Sequence, residues 1–434
     1  MTTQEILEKV NEAKYRMTAA TEEEKTDALY KMADELEKAS ETILKANLKD
    51  LQAAEGSISP VMMDRLRLTE ERIKGMAKGI RDVALLPDPV GKVLSETVRP
   101  NGLKLQKIQV PMGVIAIIYE SRPNVTSDAA SLAIKAGSAV VLRSGKEAHR
   151  SAEAITNAMK AGLKKSALPE EALFLVEDTS RASAAELMKA HGKIDLLIPR
   201  GGKNLIKACV ENAIVPVLET GTGICHVYAD ESADEETAVR IIENAKCSRP
   251  SVCNAMEVLL LHRKIAETLF PKVYRALYSE RLGKGLQPVE FHLDEADLSL
   301  LSAAVRSEGL SSEACPAGLV PAGPEDFDTE YLDYKMAVGI VEDTKEAVSH
   351  VNAHSTGHSE SILTKDPEAA AYFTKNVDSA CVYVNASTRF TDGGEFGFGA
   401  EMGISTQKLH ARGPLGLNEL CTYKYVITGE GQIR

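Results

Sequence analysis

The sequence predicts an α/β protein: two doubly wound parallel-sheet domains plus a small β extension. Three observations carry this. Apolar runs such as Val114-Ile115-Ala116-Ile117-Ile118 alternate with helical segments through residues 114–218, as strands covered on both faces do. A second series of the same kind follows from residue 232. Between residues 103 and 110, Leu103-Lys104-Leu105-Gln106-Lys107-Ile108-Gln109-Val110 alternates apolar and polar, the period of a half-exposed strand. A chain of 434 residues is also too long for one core.

The elements follow in order. Residues 3–86 are rich in Glu, Lys and Ala with apolar positions at helical spacing, such as Ala28, Met32 and Leu36, so they read as mostly helix. Pro87-Asp88-Pro89-Val90-Gly91 ends that region. Residues 97–110 read as extended, with a hairpin expected. After the strand at Val114 come helix 128–136, strand 139–142, helix 151–165, strand 173–176, helix 183–191, strand 195–198, helix 204–212 and strand 215–218. In the second series, Ser232-Ala233-Asp234-Glu235 has capping-box spacing and opens a helix to about residue 245. Strand 257–261, helix 265–280, strand 337–341, helix 344–352, strand 361–363, helix 367–376 and strand 381–385 follow. Residues 415–434 read as exposed strands. No internal repeat or low-complexity tract is present.

Composition narrows the function. Hydrophobic residues make up 44% and charged residues 26%, and the formal net charge is -12. An acidic chain does not suit general nucleic-acid or membrane-surface binding, which needs a basic face. There are seven cysteines, Cys209, Cys225, Cys247, Cys253, Cys315, Cys381 and Cys421, with no C-x-x-C spacing. That favours neither a disulfide framework nor a zinc site, and a reducing compartment is expected. The N-terminus has no signal-peptide core and no long apolar span follows, so a cytoplasmic location is expected.

One stretch stands out for chemistry. Ser248-Arg249-Pro250-Ser251-Val252-Cys253-Asn254 sets a cysteine in a polar turn between a helix and an apolar strand. A thiol is a nucleophile only as thiolate and only where a substrate can reach it, and a loop beside an arginine suits both needs. The alternative is a small buried hydrophobe. Two strand-end loops are basic and contain glycine: Arg143-Ser144-Gly145-Lys146, and Arg200-Gly201-Gly202-Lys203. Both follow parallel strands, where open α/β sheets bind ligands, and both suit the phosphates of a dinucleotide; the alternative is two ordinary turns. Neither is a Walker A sequence, and no G-x-G-x-x-G follows the first strand.

Asn124, in Tyr119-Glu120-Ser121-Arg122-Pro123-Asn124, fits either an oxyanion donor or a helix N-cap. Glu219, before Thr220-Gly221-Thr222-Gly223, fits either a general base or a solvent-facing carboxylate. His354-Ser355-Thr356-Gly357-His358-Ser359-Glu360-Ser361 holds two histidines four apart, but Gly357 breaks the helix that would pair them on a metal. It reads as a polar substrate loop, with no metal expected. Arg389 through Gly399 is glycine-rich and reads either as a loop that closes over a ligand or as plain surface.

Taken together and in this order, these segments resemble the aldehyde dehydrogenase superfamily over nearly the whole chain. The specific signals are Val110-Pro111-Met112-Gly113-Val114 with Tyr119-Glu120-Ser121-Arg122-Pro123-Asn124-Val125, the Cys253 stretch, and residues 350–362. Within the superfamily the chain resembles the branch that reduces an acyl phosphate of glutamate. The resemblance implies NADPH-dependent reduction of L-glutamyl 5-phosphate to L-glutamate 5-semialdehyde through a cysteine thioester, with release of phosphate, in proline biosynthesis. It makes Cys253 the nucleophile, makes Asn124 and the Cys253 N–H the oxyanion donors, and puts Glu219 where oxidising relatives keep a deacylating base. Arg143, Ser144, Gly145 and Lys146 fall in the adenosine-side loop, with Gly201 and Gly202 also on the cofactor. Glu330 falls where the family holds the nicotinamide ribose. A lysine at position 146 welcomes a 2′-phosphate, which favours NADPH. Arg122, His354, Ser359 and Arg389 are candidates for holding the substrate phosphate or carboxylate.

An aldehyde dehydrogenase-like architecture implies a cofactor-binding domain of residues 1–96 and 111–228, to which 387–403 returns. It also implies a catalytic domain of residues 229–386 and a strand extension of residues 97–110 and 404–434 for oligomerisation. A homo-oligomer, dimer or tetramer, is expected, and glutamate 5-kinase is a candidate partner. The competing readings are a CoA-acylating or oxidising aldehyde dehydrogenase and a non-catalytic nucleotide-binding regulator.

Overall fold

The computed structural model describes residues 1–58 and 60–434, with the backbone alone at residues 60 and 61. The chain divides into two compact units, Met1–Thr220 with Gly393–Arg434, and Gly221–Asp392.

The first unit opens with α1 (Thr3–Thr18), α2 (Glu22–Lys38), α3 (Ser40–Ala54), α4 (Pro60–Leu66) and α5 (Glu70–Leu85). Local chemistry sets two of the starts. Thr2 and Thr21 each cap their helix, and Glu5 and Glu24 return a carboxylate to the cap N–H at 2.8 and 2.9 Å. Reciprocal capping of this kind satisfies two otherwise orphaned donors. The buried stripe Ala28, Leu29, Met32 and Leu36 then turns α2 inward.

Next come β1 (Val93–Val98), β2 (Lys104–Pro111), β3 (Val114–Tyr119), α6 (Val125–Lys135), β4 (Ala139–Ser144), α7 (His149–Leu163), β5 (Leu173–Leu175), α8 (Arg181–Met188), β6 (Leu196–Arg200) and α9 (Lys203–Asn212). At Gly162 of α7 a Cβ would run into the Met32 backbone, so glycine there lets α7 close on α2. The parallel sheet has the order β5-β4-β3-β6. The chain steps outward from β3 through β4 to β5, then returns to β6 on the other side of β3. The switch point therefore lies between the carboxyl ends of β3 and β6, at Glu120 and Gly201.

The stretch 215–218 is not the strand its apolar character predicts. It touches β6 only through an isolated bridge, Leu197 to Val217. Pro216 lends its carbonyl to Leu197 N–H, but it has no N–H to extend a ladder.

The second unit contains β7 (Cys225–Ala229), α10 (Glu235–Cys247), β8 (Met256–His262), α11 (Arg263–Tyr274), α12 (Glu280–Gly283), β9 (Glu290–Leu293), α13 (Glu295–Ser307), β10 (Leu319–Pro321), β11 (Lys335–Val341), α14 (Thr344–His354), β12 (Ser359–Leu363), α15 (Pro367–Asn376) and β13 (Cys381–Val384). They form one parallel seven-stranded sheet, β10-β9-β11-β8-β7-β12-β13. Alternation explains why its strands read as unbroken apolar runs. Val227, Leu259, Leu261 and Val338 pack on one face with Phe270 and Val273 of α11. Tyr228, Val258, Leu260 and Ala337 pack on the other with Val351 of α14 and Phe373 of α15. Both faces are dry. The cap of α10 is Asp234, which accepts from Thr237 N–H, not Ser232; the Ser232 hydroxyl is engaged by Asp230 and Thr364. The β9–α13–β10 segment is missing from the sequence reading, although Val289-Glu290-Phe291-His292-Leu293 carries period two.

Back in the first unit, the chain ends with β14 (Ile404–Ser405), β15 (Gly413–Pro414) and β16 (Cys421–Thr428). The expected run of strands over 415–434 is thus one strand, β16, which joins β2 and β1 in an antiparallel sheet. All six residues of β1 are exposed. No helix of the described residues is long and apolar enough to cross a membrane.

Candidate active site

In the second unit, the chemistry gathers at the amino edge of the seven-stranded sheet. Cys253 lies in the turn between α10 and β8, where Ala255 N–H returns to Val252 O. It is half-buried. Burial pushes Cys209 and Cys247 up to about 11 and Cys421 up to about 12, and it raises Cys225 well above the ordinary thiol range. Those four are packing thiols.

Gly223 lies directly against Cys253. A Cβ there would coincide with the Cys253 carbonyl. The Cys225 thiol donates to that same carbonyl at 3.2 Å. Glu330 accepts the Gly223 N–H at 2.8 Å, so Glu330 meets the Cys253 turn through Gly223. Behind this layer, Lys246 and Glu257 form a fully buried pair at 2.5 Å. Burial pushes the Glu257 carboxyl up against the pull of the Lys246 ammonium. The other Glu257 oxygen accepts Leu332 N–H at 3.3 Å, and Leu332 holds a left-handed φ of 54°. The segment carrying Glu330 is therefore anchored from both ends.

Asn254 fixes the other side of the turn. It is buried, its amide donates to Arg389 O and Thr391 O at 3.3 and 2.9 Å, and its carbonyl accepts the Thr388 hydroxyl at 2.7 Å. Arg389 donates to Asn254 Oδ1 and to Ser248 Oγ. Of the other expected ligand groups, His354 pairs with Asp328 at 3.0 Å and packs on the His350 ring, with 4.5 Å between centroids. Ser359 departs from its expected role. It is fully buried, with its hydroxyl held by His358 at 2.8 Å and Thr391 at 2.7 Å. It props the Arg389–Asp392 segment and is not positioned to touch a ligand. Among the described residues no cluster fit to hold a metal occurs.

In the first unit, the expected residues gather at the switch point. Asn124 holds the N-cap position of α6 but makes no side-chain cap hydrogen bond; its amide donates instead to Asp128 at 2.9 Å. Burial pushes Asp128 up to about 6, against the Asn124 amide and the Arg200 charge. Glu147 accepts both Ser121 N–H and Ser121 Oγ–H at 2.7 and 2.8 Å. That holds Ser121 at a φ of 45°, left-handed for a residue with a Cβ, and so ties loop 145–148 to the turn carrying Arg122 and Asn124.

The two basic loops differ. Arg143 is buried, and its guanidinium is spent on the carbonyls of Thr179 and Ser180 at 2.6 and 2.8 Å. It braces the loop and presents no free charge. Ser144 is buried against His149. Gly145 departs from its expected role: it is buried, its N–H donates to Tyr119 O at 2.7 Å, and the Glu147 carboxylate covers the space beside its Cα, so only the exposed Lys146 remains open to an anion. At the second loop, Glu120 accepts the Gly202 N–H at 3.0 Å and fills the space beside Gly201. Glu219 is half-buried; its N–H donates to Gln407 at 2.7 Å.

Sequence reasoning missed Gly223, Asn254, Asp128 and the Lys246–Glu257 pair. Only Glu257 left a mark, as a charge inside Met256-Glu257-Val258-Leu259-Leu260-Leu261.

Comparison with known proteins sets these features in context. The model of the aldehyde dehydrogenase family matches residues 1–293 and 336–426. A gamma-glutamyl phosphate reductase of Streptococcus pneumoniae (strain P1031) is 57% identical over 431 residues, 99% of each chain. The crystal structure of a gamma-glutamyl phosphate reductase from Thermotoga maritima superposes with a TM-score of 0.91 at 44% identity, covering all of both chains. An acetylating aldehyde dehydrogenase from Geobacillus thermoglucosidasius shares the fold, with a TM-score of 0.69 at 19% identity over 100% of this chain and 97% of that one.

Proposed function

The chain belongs to the aldehyde dehydrogenase family, in the branch of the gamma-glutamyl phosphate reductases, and on that premise we propose that it reduces L-glutamyl 5-phosphate to L-glutamate 5-semialdehyde with NADPH, releasing phosphate, as a step of proline biosynthesis. The observation that carries the reading is Cys253. Its turn is held on three sides, by Gly223, Cys225 and Asn254, while the thiol stays half-exposed.

The Cys253 thiolate attacks the acyl carbon. A sulfur–carbon bond forms, the carbon–oxygen bond to phosphate breaks, and phosphate leaves with the electron pair. NADPH, when bound, would supply the hydride that reduces the thioester carbon. The Cys253 N–H and the Asn124 amide stabilise the resulting thiohemiacetal oxyanion, which collapses to aldehyde and regenerates the thiolate. No water enters, so Glu219 has no deacylating work in this direction.

The residues present fit a nicotinamide cofactor in part. Lys146 would offer a positive charge for the 2′-phosphate, and Glu330 would take the nicotinamide ribose. Gly201 and Gly202 would line the cofactor were Glu120 to yield the Gly202 N–H, while Arg143 acts as a brace. Arg122, His354 and Arg389 hold the substrate's anionic groups, with Ser359 supporting from behind.

The cofactor-binding role is assigned to the first unit and the catalytic role to the second. The exposed β1–β2–β16 sheet, with Val98, Tyr425 and Ile427 open to solvent, supports a homo-oligomer, since unpaired apolar strands seek a partner. A cytoplasmic setting and a complex with the glutamate 5-kinase that makes the substrate accord with an unstable acyl phosphate.

The test is the reverse reaction, phosphate-dependent reduction of NADP by glutamate semialdehyde, with Cys253→Ala as control. Loss of turnover in the variant, with glutamylated Cys253 trapped in the parent, is the expected result. Undiminished turnover by the variant refutes the reading.

A further inference from the structure

We propose that Arg389 and Arg249 together form the seat of the departing phosphoryl group beside Cys253; this rests on the acyl-phosphate reading above and adds Arg249 to the site. Arg389 binds both ends of the nucleophile loop. Its Nε donates to Ser248 Oγ at 3.1 Å, and its Nη1 donates to Asn254 Oδ1, the residue after Cys253. The first of these contacts sets Arg389 next to Arg249, which follows Ser248 in the chain and stands exposed at the same loop. The negative groups whose charge reaches Arg389 are Cys253, Asp392 and Cys225. Arg389 is half-buried, and after burial the largest influence lowering its proton affinity is the Arg249 charge.

Two like charges held together in a partly dry site cost energy until an anion joins them. Guanidinium forks match phosphoryl oxygens two at a time.

Position favours the phosphoryl over the substrate's α-carboxylate. The phosphoryl is joined to the attacked carbon through a single oxygen, so it must lie within a few ångströms of the sulfur. The α-carboxylate lies at the far end of the glutamyl chain. A phosphoryl dianion also needs two cations, where a carboxylate needs one. As the carbon–oxygen bond breaks, negative charge grows on the leaving oxygen, and two fixed guanidiniums stabilise that growth.

The test uses inorganic phosphate as the probe and the full-length protein. Iodoacetamide alkylation of Cys253 is followed by mass spectrometry against a phosphate titration in the parent, Arg249→Gln and Arg389→Gln. Arg249→Gln is the cleaner variant, because Arg249 is exposed and braces nothing. Phosphate is expected to protect the parent, and the half-protecting concentration to rise roughly ten- to a hundredfold in each variant. In the reverse reaction, KM for phosphate is expected to rise by the same factor while KM for the semialdehyde stays within about twofold. Unchanged protection in Arg249→Gln overturns the proposal. So does a rise in semialdehyde KM with phosphate KM unmoved, which assigns the arginines to the α-carboxylate. A parent whose Cys253 is unreactive, or whose reverse reaction ignores phosphate, instead refutes the acyl-phosphate reading on which this one stands.

Discussion

Gly223→Ala probes the Cys253 turn without removing a polar group. The Gly223 backbone is not left-handed, so alanine meets no conformational penalty of its own. The whole cost falls on Cys253, whose carbonyl oxygen occupies the space the new methyl needs and whose Cα lies 3.0 Å from it. For the two to coexist, the Cys253 carbonyl oxygen, 1.5 Å from the new methyl, has to retreat by about 1.5 Å to reach even a 3.0 Å contact. It cannot do so freely, because Asn254 is bound at three points to residues 388–391. A displacement of that size between reacting groups costs about a hundredfold in rate, equal to about 2.7 kcal/mol in the barrier. The assay is kcat for semialdehyde oxidation, read beside the thermal midpoint and the alkylation rate of Cys253. Gly283→Ala, on a helix with open space around it, is the control and leaves kcat unchanged. A folded Gly223→Ala protein with parental kcat refutes the argument that this contact sets the sulfur's position.

Other expectations follow from single contacts. Lys246→Met or Glu257→Leu alone leaves a buried charge unpaired and costs about 3–5 kcal/mol by urea unfolding, whereas the double variant returns close to the parent; additive losses contradict this account. Burial depresses His350 to about 3, below the usual 6.5. Between those values the unfolded chain binds the extra proton, so stability is whole above pH 6.5 and falls as pH drops toward 3, by at most about 1.4 kcal/mol per pH unit from this group. His350→Gln flattens that slope, and an unaltered slope contradicts the assignment. Lys146→Glu lowers kcat/KM for NADPH relative to NADH by at least about tenfold; an unchanged ratio removes Lys146 from the 2′-phosphate.

The two-series α/β pattern was legible because unbroken runs such as Val258-Leu259-Leu260-Leu261 have few other uses. Helix boundaries were less legible: residues 3–86 read only as mostly helix although Thr21 and Glu24 close backbone bonds locally, and the capping spacing at residues 232–235 marked the start of α10 while its cap is Asp234. The reading failed where one residue vetoed the pattern. Residues 215–218 are apolar enough for a strand, but Pro216 cannot extend the ladder. For the site, Cys253 stood out because its neighbours are polar and turn-forming. Arg143 and Ser359 carried the right chemistry, but their hydrogen bonds are consumed inside the fold, and a linear pattern does not record which donors are already engaged.

Residue order alone determined the fold class and the identity of the candidate nucleophile, because each depends on chemistry within a few positions along the chain. Tertiary structure decided which groups support that nucleophile. Gly223 meets Cys253 thirty residues on, Lys246 meets Glu257 across the junction of a helix and a strand, and Arg389 reaches back to Ser248 and Asn254. Those meetings depend on strand order and register in the seven-stranded sheet, which are set by how whole faces bury against one another.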